Sequence, residues 1–249
     1  VSASPGGPKL KPAGQCAESG EATQTTAQAL EWLARLLRAR SGLAIGAEKH
    51  YLLESRLQPL LKREGLADLA ALVERLRQPP SDHLSQEVVE AMTTNETLFF
   101  RDTRPFTHLA EHSLGQVAAS RPPGQPVRIW SAGAASGQEA YSIAMVALEN
   151  PGVLDGRPVS ILGTDLATAP LQRARAGVYT QFEVQRGLSA RRLVTHFDRT
   201  DRGWQIRANL RALCRFEIGN LLGDLTPLGT FDIIFCRNVM IYFDEVTKR

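Results

Sequence analysis

The sequence predicts a small all-helical domain followed by an α/β domain built on a parallel sheet. Three observations carry that expectation. Leucines recur at helical spacing between Gln28 and Met92. Short apolar runs at 127–131 (VRIWS), 159–163 (VSILG), 215–218 (RFEI) and 231–236 (FDIIFC) read as strands buried in a sheet. Helical sequence separates the first two runs, the crossover that parallel pairing requires.

Residues 1–27 are rich in Pro, Gly, Ala, Ser and Thr. They bury too little apolar surface to offset ordering entropy, so a flexible tail is expected. The chain starts at Val1 and reads as a fragment or processed product. Residues 28–92 form the helical domain. Leu30, Leu33, Leu36 and Leu37 define a first helix ending at Ser41-Gly42. Tyr51, Leu52, Leu57, Leu60 and Leu61 define a second, with Pro59 as a bend and Gly65 as its end. A third runs over 68–76 and stops at Pro79-Pro80; a fourth occupies 81–92. Lys49, Arg56 and Arg63 are spaced by seven. On one continuous helix they drift only ~20° per step and share a face, either a solvated stripe or a docking surface.

Residues 93–104 link this domain to the α/β domain, residues 105–249. Within the latter, 180–213 contains Trp204, Gln205, Ile206 and Leu210 among turn-formers. It reads as a helix and a small β-hairpin inserted into the sheet domain.

Composition bounds the function. The chain has 249 residues, 43% hydrophobic and 22% charged, enough for one large or two small domains with a true core. No apolar run approaches the ~18 residues of a membrane span, and residues 1–27 lack the apolar segment of a signal peptide. Three scattered cysteines suit neither a disulfide framework nor a metal site of known spacing, and favour a reducing cytoplasm. The net charge of +3 is too mild to imply nucleic acid. Locally, residues 186–215 carry eight arginines against two aspartates. Residues 28–63 carry seven Lys/Arg against three Glu. These zones are either solvated faces or patches that meet an acidic partner.

Four motifs form a candidate site. In 130–145 (WSAGAASGQEAYSIAM) a strand enters Gly133 and Gly137, then a helix with Tyr141, Ala144, Met145 and Leu148 on one side. Glycines at a strand's carboxyl end let backbone approach a ligand; a tight strand–helix turn has the same pattern. Asp165 ends the second strand, 32 residues past Gly133, longer than the ~20 of dinucleotide folds. It is a ribose ligand or a helix N-cap. Cys236, Arg237 and Asn238 end the last strand, with the cysteine a small buried apolar group. The run 93–102 (TTNETLFFRD) places one arginine at the domain junction, as an active-site wall or as an ordinary helix-capping linker.

The segments TTNETLFFRD, WSAGAASGQEAYSIAM, GTDLATAPLQRARAGVY and FDIIFCRNVMIYFD occur in this order and spacing. Together they resemble the chemoreceptor glutamate methyltransferases of bacterial chemotaxis, the CheR family, from about Leu43 onward. The resemblance implies a Rossmann-like S-adenosylmethionine-dependent domain with an inserted β-subdomain, behind an all-α domain. It implies methyl transfer to glutamates on the cytoplasmic helical bundle of chemoreceptors, with S-adenosylhomocysteine as product. By motif position Asn95, Thr97, Arg101 and Gly133 contact the cofactor, Glu139 holds its amino-acid end and Asp165 its ribose. Asn220 and Leu221 sit by the adenine, and Arg237 and Asn238 close the far side. Arg101 and Tyr242 flank the transfer point. Arg56 and Arg63 become candidates for receptor docking, and no metal is expected.

The chemistry suits these residues. A glutamate carboxylate is an anion at neutral pH, so it needs positioning rather than a general base. The short hairpin near 200–203 implies independence from a receptor tail peptide. The family continues with further strands past residue 249, which implies an uncovered edge at 231–236. A non-catalytic, cofactor-binding signalling module of the same fold is the alternative.

Overall fold

A computed structural model describes residues 15–248, with side chains from residue 25 onward. Helix α1 spans Gln15–Ser41. The expected tail does not hold over residues 15–27, which are helical; residues 1–14 lie outside the described residues. The added stretch contains Ala, Glu and Gln, good helix formers, and extending a nucleated helix costs little. The chain divides into two compact units. One takes α1 as far as Ala39 together with Ile45–Met92; the other takes Arg40–Ala44 and Thr93–Arg249.

In the helical unit, α2 (His50–Glu64), α3 (Leu69–Arg77) and α4 (Asp82–Met92) follow α1. Their apolar stripes bury Leu53, Leu57, Leu72, Val73 and Val88, and Leu33 and Leu37 of α1 are buried too. Asp68 caps α3, its carboxylate accepting from Ala71 N at 2.8 Å. Lys49 does not lie on α2; it ends a separate 3-10 turn, so the three basic residues share no single helix. A change of helix type there breaks the spacing of seven.

In the second unit, α5 (Arg104–His108) continues through a wider π-type turn (Leu109–Ser113) into α6 (Leu114–Ser120). Strand β1 (Val127–Ala132) leads to α7 (Gln138–Glu149) and α8 (Pro151–Leu154), then to β2 (Val159–Asp165) and α9 (Thr168–Ala176). Tyr141, Ala144 and Met145 of α7 are buried, while Leu148, read on the same side, is 38% exposed near the helix end. Next come β3 (Val178–Tyr179), α10 (Gln181–Gln185), α11 (Ala190–His196), β4 (Phe197–Thr200), β5 (Gly203–Ile206) and α12 (Ala208–Arg211). Strands β6 (Cys214–Ile218) and β7 (Ile233–Cys236) complete the main sheet.

That sheet has the order β6-β2-β1-β7, and all pairs are parallel. β1 is central and buried along almost its whole length, which is why its sequence is continuously apolar. The register aligns Ala132 with Thr164 and Cys236, so three strand ends meet at one edge. β7 forms one margin, where Ile234 is 56% exposed.

The smaller sheet is antiparallel, β3-β5-β4, joined by a hairpin turn at Asp201 and Arg202. It has one strand more than the expected hairpin, because two residues of β3 pair with β5. Two residues are too few to leave a period in sequence. The linker is anchored through Phe99, packed edge-on against Tyr179 at 5.0 Å and Phe197 at 5.6 Å. Phe100 packs on Phe106, and the Arg192 guanidinium lies 3.8 Å from its ring centre.

Candidate active site

The carboxyl ends of β1, β2, β6 and β7 open onto a cleft whose other walls are the linker and residues 41–43. The cleft is partly open to solvent. Asn95, Thr97, Arg101, Gly133, Glu139, Asp165, Leu221, Arg237, Asn238 and Tyr242 all line it.

The loop after β1 turns sharply. Gly133 has φ +74, and a Cβ there would come within 2.3 Å of Val239 Cγ2. Ala135 adopts φ +46, a conformation that needs support. Asp165 supplies it: one carboxylate oxygen accepts from Ala135 N at 2.8 Å, the other from Ala167 N at 3.0 Å. Asp165 is not the N-cap of α9, which is Ala167. Tyr179 donates to Ser136 O at 2.7 Å, tying the small sheet to the same loop.

Glu139, in the first turn of α7, accepts from Ser131 Oγ at 2.8 Å and from Arg237 Nη1 at 3.0 Å. Burial raises its carboxyl above the ordinary glutamate value, opposed by Ser131, Arg237 and Arg101. Arg237 also donates through Nη2 to Arg101 O at 2.8 Å and to Asp102 at 2.5 Å. One guanidinium thus joins β7, α7 and the linker. The linker turns tightly here, with positive φ at Phe100, Asp102 and Thr103. Arg101 Nη1 donates to Glu96 O at 2.9 Å, so a backbone carbonyl orients it while its charge also acts on Glu139. Asn95 donates to Thr93 Oγ1 at 3.1 Å.

Asn220 stands apart from its neighbours in the motif reading. Its Nδ2 donates to Arg40 O at 2.7 Å and its Oδ1 accepts from Leu222 N at 3.0 Å. Both ends of the amide are occupied by backbone, so Leu221 rather than Asn220 faces the cleft. Burial, then the Glu139 charge, raises the Cys236 thiol, which fits an apolar group better than a nucleophile.

Sequence reading missed Ser131, Asp102, Ser41 and Leu43. Ser131 lay inside an apolar run, and Ser41-Gly42 carried only a helix-stop signal. Asp102 neighbours Arg101 in sequence, but its partner Arg237 lies 135 residues away.

On α2, Arg56 is half-buried and donates to Met92 O at 2.8 Å. Arg63 is exposed and pairs with Glu87 at 2.6 Å and Glu64 at 2.9 Å. Four of the eight arginines in 186–215 are ion-paired: Arg186 with Glu96, Arg192 with Glu149, Arg207 with Asp198 and Arg215 with Glu217. The local basic surplus is thus smaller at the surface than in the sequence.

Comparison with known proteins identifies the family. Residues 95–249 match the family model of the CheR methyltransferase SAM binding domain, and residues 28–93 match that of the CheR all-alpha domain. The chain belongs to the CheR methyltransferase family. It is 44% identical over 219 residues to the chemotaxis protein methyltransferase of Vibrio parahaemolyticus, covering 86% of this chain and 78% of that protein. Chemotaxis protein methyltransferase 1 of Pseudomonas aeruginosa is 42% identical over 218 residues, with the same coverage.

This CheR-family protein is a methyltransferase with S-adenosylmethionine as its methyl donor. The cleft fits that cofactor. A desolvated carboxylate, Glu139, can meet an ammonium group, and Leu43 and Leu221 offer apolar surface in the same cleft. No helix among the described residues is long and apolar enough to cross a membrane.

Proposed function

We infer that the protein is a protein-glutamate O-methyltransferase that modifies glutamates on the cytoplasmic helical bundle of chemoreceptors, in the cytoplasm, during chemotaxis adaptation. The observation that carries this reading is the convergence of Arg101 and Tyr242 on the same cleft as Glu139 and Asp165. The two carboxylates there are engaged by backbone and Arg237, so the acid-binding groups are the guanidinium and the phenol.

The bound cofactor supplies an activated methyl group. The chain's own residues hold the acceptor. Arg101 holds a carboxylate by a charge-assisted bond and Tyr242 donates a second, fixing one oxygen in line. The acceptor needs no proton removed, since it is ionised at neutral pH.

Relatives named as chemotaxis protein methyltransferases support a chemoreceptor as substrate. The Arg56 and Arg63 face of α2 is a candidate contact for an acidic bundle. The two-residue turn at Asp201 and Arg202 supports independence from a receptor tail peptide. The test is incubation with methyl-labelled S-adenosylmethionine and receptor cytoplasmic fragments, followed by base. Volatile methanol marks a methyl ester. Calorimetric cofactor binding without methanol release would instead make the protein a cofactor-binding signalling module.

A further inference from the structure

Between the end of α1 and the next 3-10 turn, the chain forms part of the catalytic unit for five residues, Arg40–Ala44. These residues lie outside the stretch matched by the SAM-binding family model. They nevertheless make three specific connections to it. Arg40 O accepts from Asn220 Nδ2 at 2.7 Å. Ala44 N donates to Tyr242 O at 3.0 Å. Gly42 has φ +74, and a Cβ there would meet the Phe243 ring at 2.8 Å and Thr247 Cγ2 at 3.1 Å. Between these anchors Ser41, 1% exposed, and Leu43 face the cleft.

The two anchored partners stand on different walls. Asn220 precedes Leu221 on the β6 side, and Tyr242 follows β7 on the opposite margin of the sheet. The turn holding Tyr242 is short. Tyr242 N bonds Val239 O at 3.2 Å and Phe243 N bonds Met240 O at 3.1 Å, so those bonds close the turn on itself. Met240 and Ile241 are exposed, at 44% and 69%, so little packing holds the turn from outside. Ala44 N–H is the hydrogen bond that ties Tyr242's own carbonyl to the rest of the unit. Local turns with few buried contacts open readily unless anchored.

We propose that Arg40–Ala44 is a strap that links the two walls of the cleft, positions Tyr242 and slows departure of the bound cofactor product. The positioning of Tyr242 rests on its proposed acceptor role; the retention of product does not. Tyr242 is held through its backbone, so strap residues act as positioning residues and not as catalytic ones. Gly42 is required because only a residue without Cβ passes the Phe243 ring at a positive φ.

The test uses Gly42→Ala, which displaces Phe243, and Ala44→Pro, which removes the donor. In the protein without cofactor, hydrogen–deuterium exchange at 239–243 is expected to rise in both variants. Release of labelled S-adenosylhomocysteine is expected to quicken by about five- to tenfold, the scale of one lost backbone bond. With receptor fragments, kcat falls while KM for the receptor holds. If Ala44→Pro does not fold, Gly42→Ala carries the test alone. Folded variants with unchanged exchange and unchanged release would overturn the strap. Altered exchange and release in a protein that never methylates receptor would leave the strap standing and remove the acceptor reading.

Discussion

Asp165→Asn probes the loop-bracing role of one buried carboxylate and its proposed ribose role. In the native protein its two oxygens accept from Ala135 N and Ala167 N at 2.8 and 3.0 Å. Asparagine keeps one acceptor and turns the other into an NH2 group facing a backbone N–H. A hydrogen bond to a charged group contributes about 1.5–3 kcal/mol, so the loss without ligand is ~2–3 kcal/mol. For a unit of this size that lowers the melting temperature by about 4–12 °C. The proposed ribose contact weakens by a similar amount, and at 1.4 kcal/mol per tenfold this is a ~30–150-fold loss in affinity. Thermal melts of the free protein and calorimetric titration with S-adenosylhomocysteine read the two effects separately. A melt unchanged within about 1 °C would refute the loop-supporting role. A lowered melt with unchanged affinity would refute the ribose assignment.

Burial raises the Glu139 carboxyl, so the folded chain retains a proton where the unfolded chain has lost it. Its stabilising contribution is full below the ordinary glutamate value and is lost as pH rises through the raised folded value. Glu139→Gln should therefore flatten the stability profile just above that ordinary value, measured by urea denaturation across pH, and should weaken S-adenosylhomocysteine binding at neutral pH. Arg157 is 8% exposed and donates to Pro122 O, Ala118 O and Arg121 O at the end of α6. Arg157→Met leaves these carbonyls without a donor and should lower the free energy of unfolding by ~2–3 kcal/mol, seen as a shifted urea midpoint at constant slope. Arg63→Glu sets a third acid beside Glu64 and Glu87; it should change stability by about 1 kcal/mol or less while raising KM for receptor several-fold, and an unchanged KM removes Arg63 from docking.

Much of the site was legible because its residues sit in continuous motifs. A parallel strand buried on both faces must be apolar throughout, so β1 and β2 announce themselves. The residues just past such strands, Gly133, Asp165, Arg237 and Asn238, then fall at the sheet's ligand edge. Other features left no comparable trace. The helix at 15–27 extends from a nucleus elsewhere, and its composition resembles that of a coil. Lys49 has the spacing of Arg56 and Arg63 but a different backbone. Asn220 belongs to the right motif, yet its amide is held by the carbonyl of Arg40, distant in sequence.

The sequence by itself determined the family, the donor, the two-part organisation and the residue types at the cleft, because periodicity and motif order are local properties of the chain. Only the tertiary structure decided how those residues are held. Arg237 joins Glu139 to the linker, Asp165 braces the glycine loop, and five residues after α1 pair with Asn220 and Tyr242. These are contacts between segments far apart in sequence. They arise because buried backbone and charged groups must find partners, and only the folded packing determines which partner lies within reach.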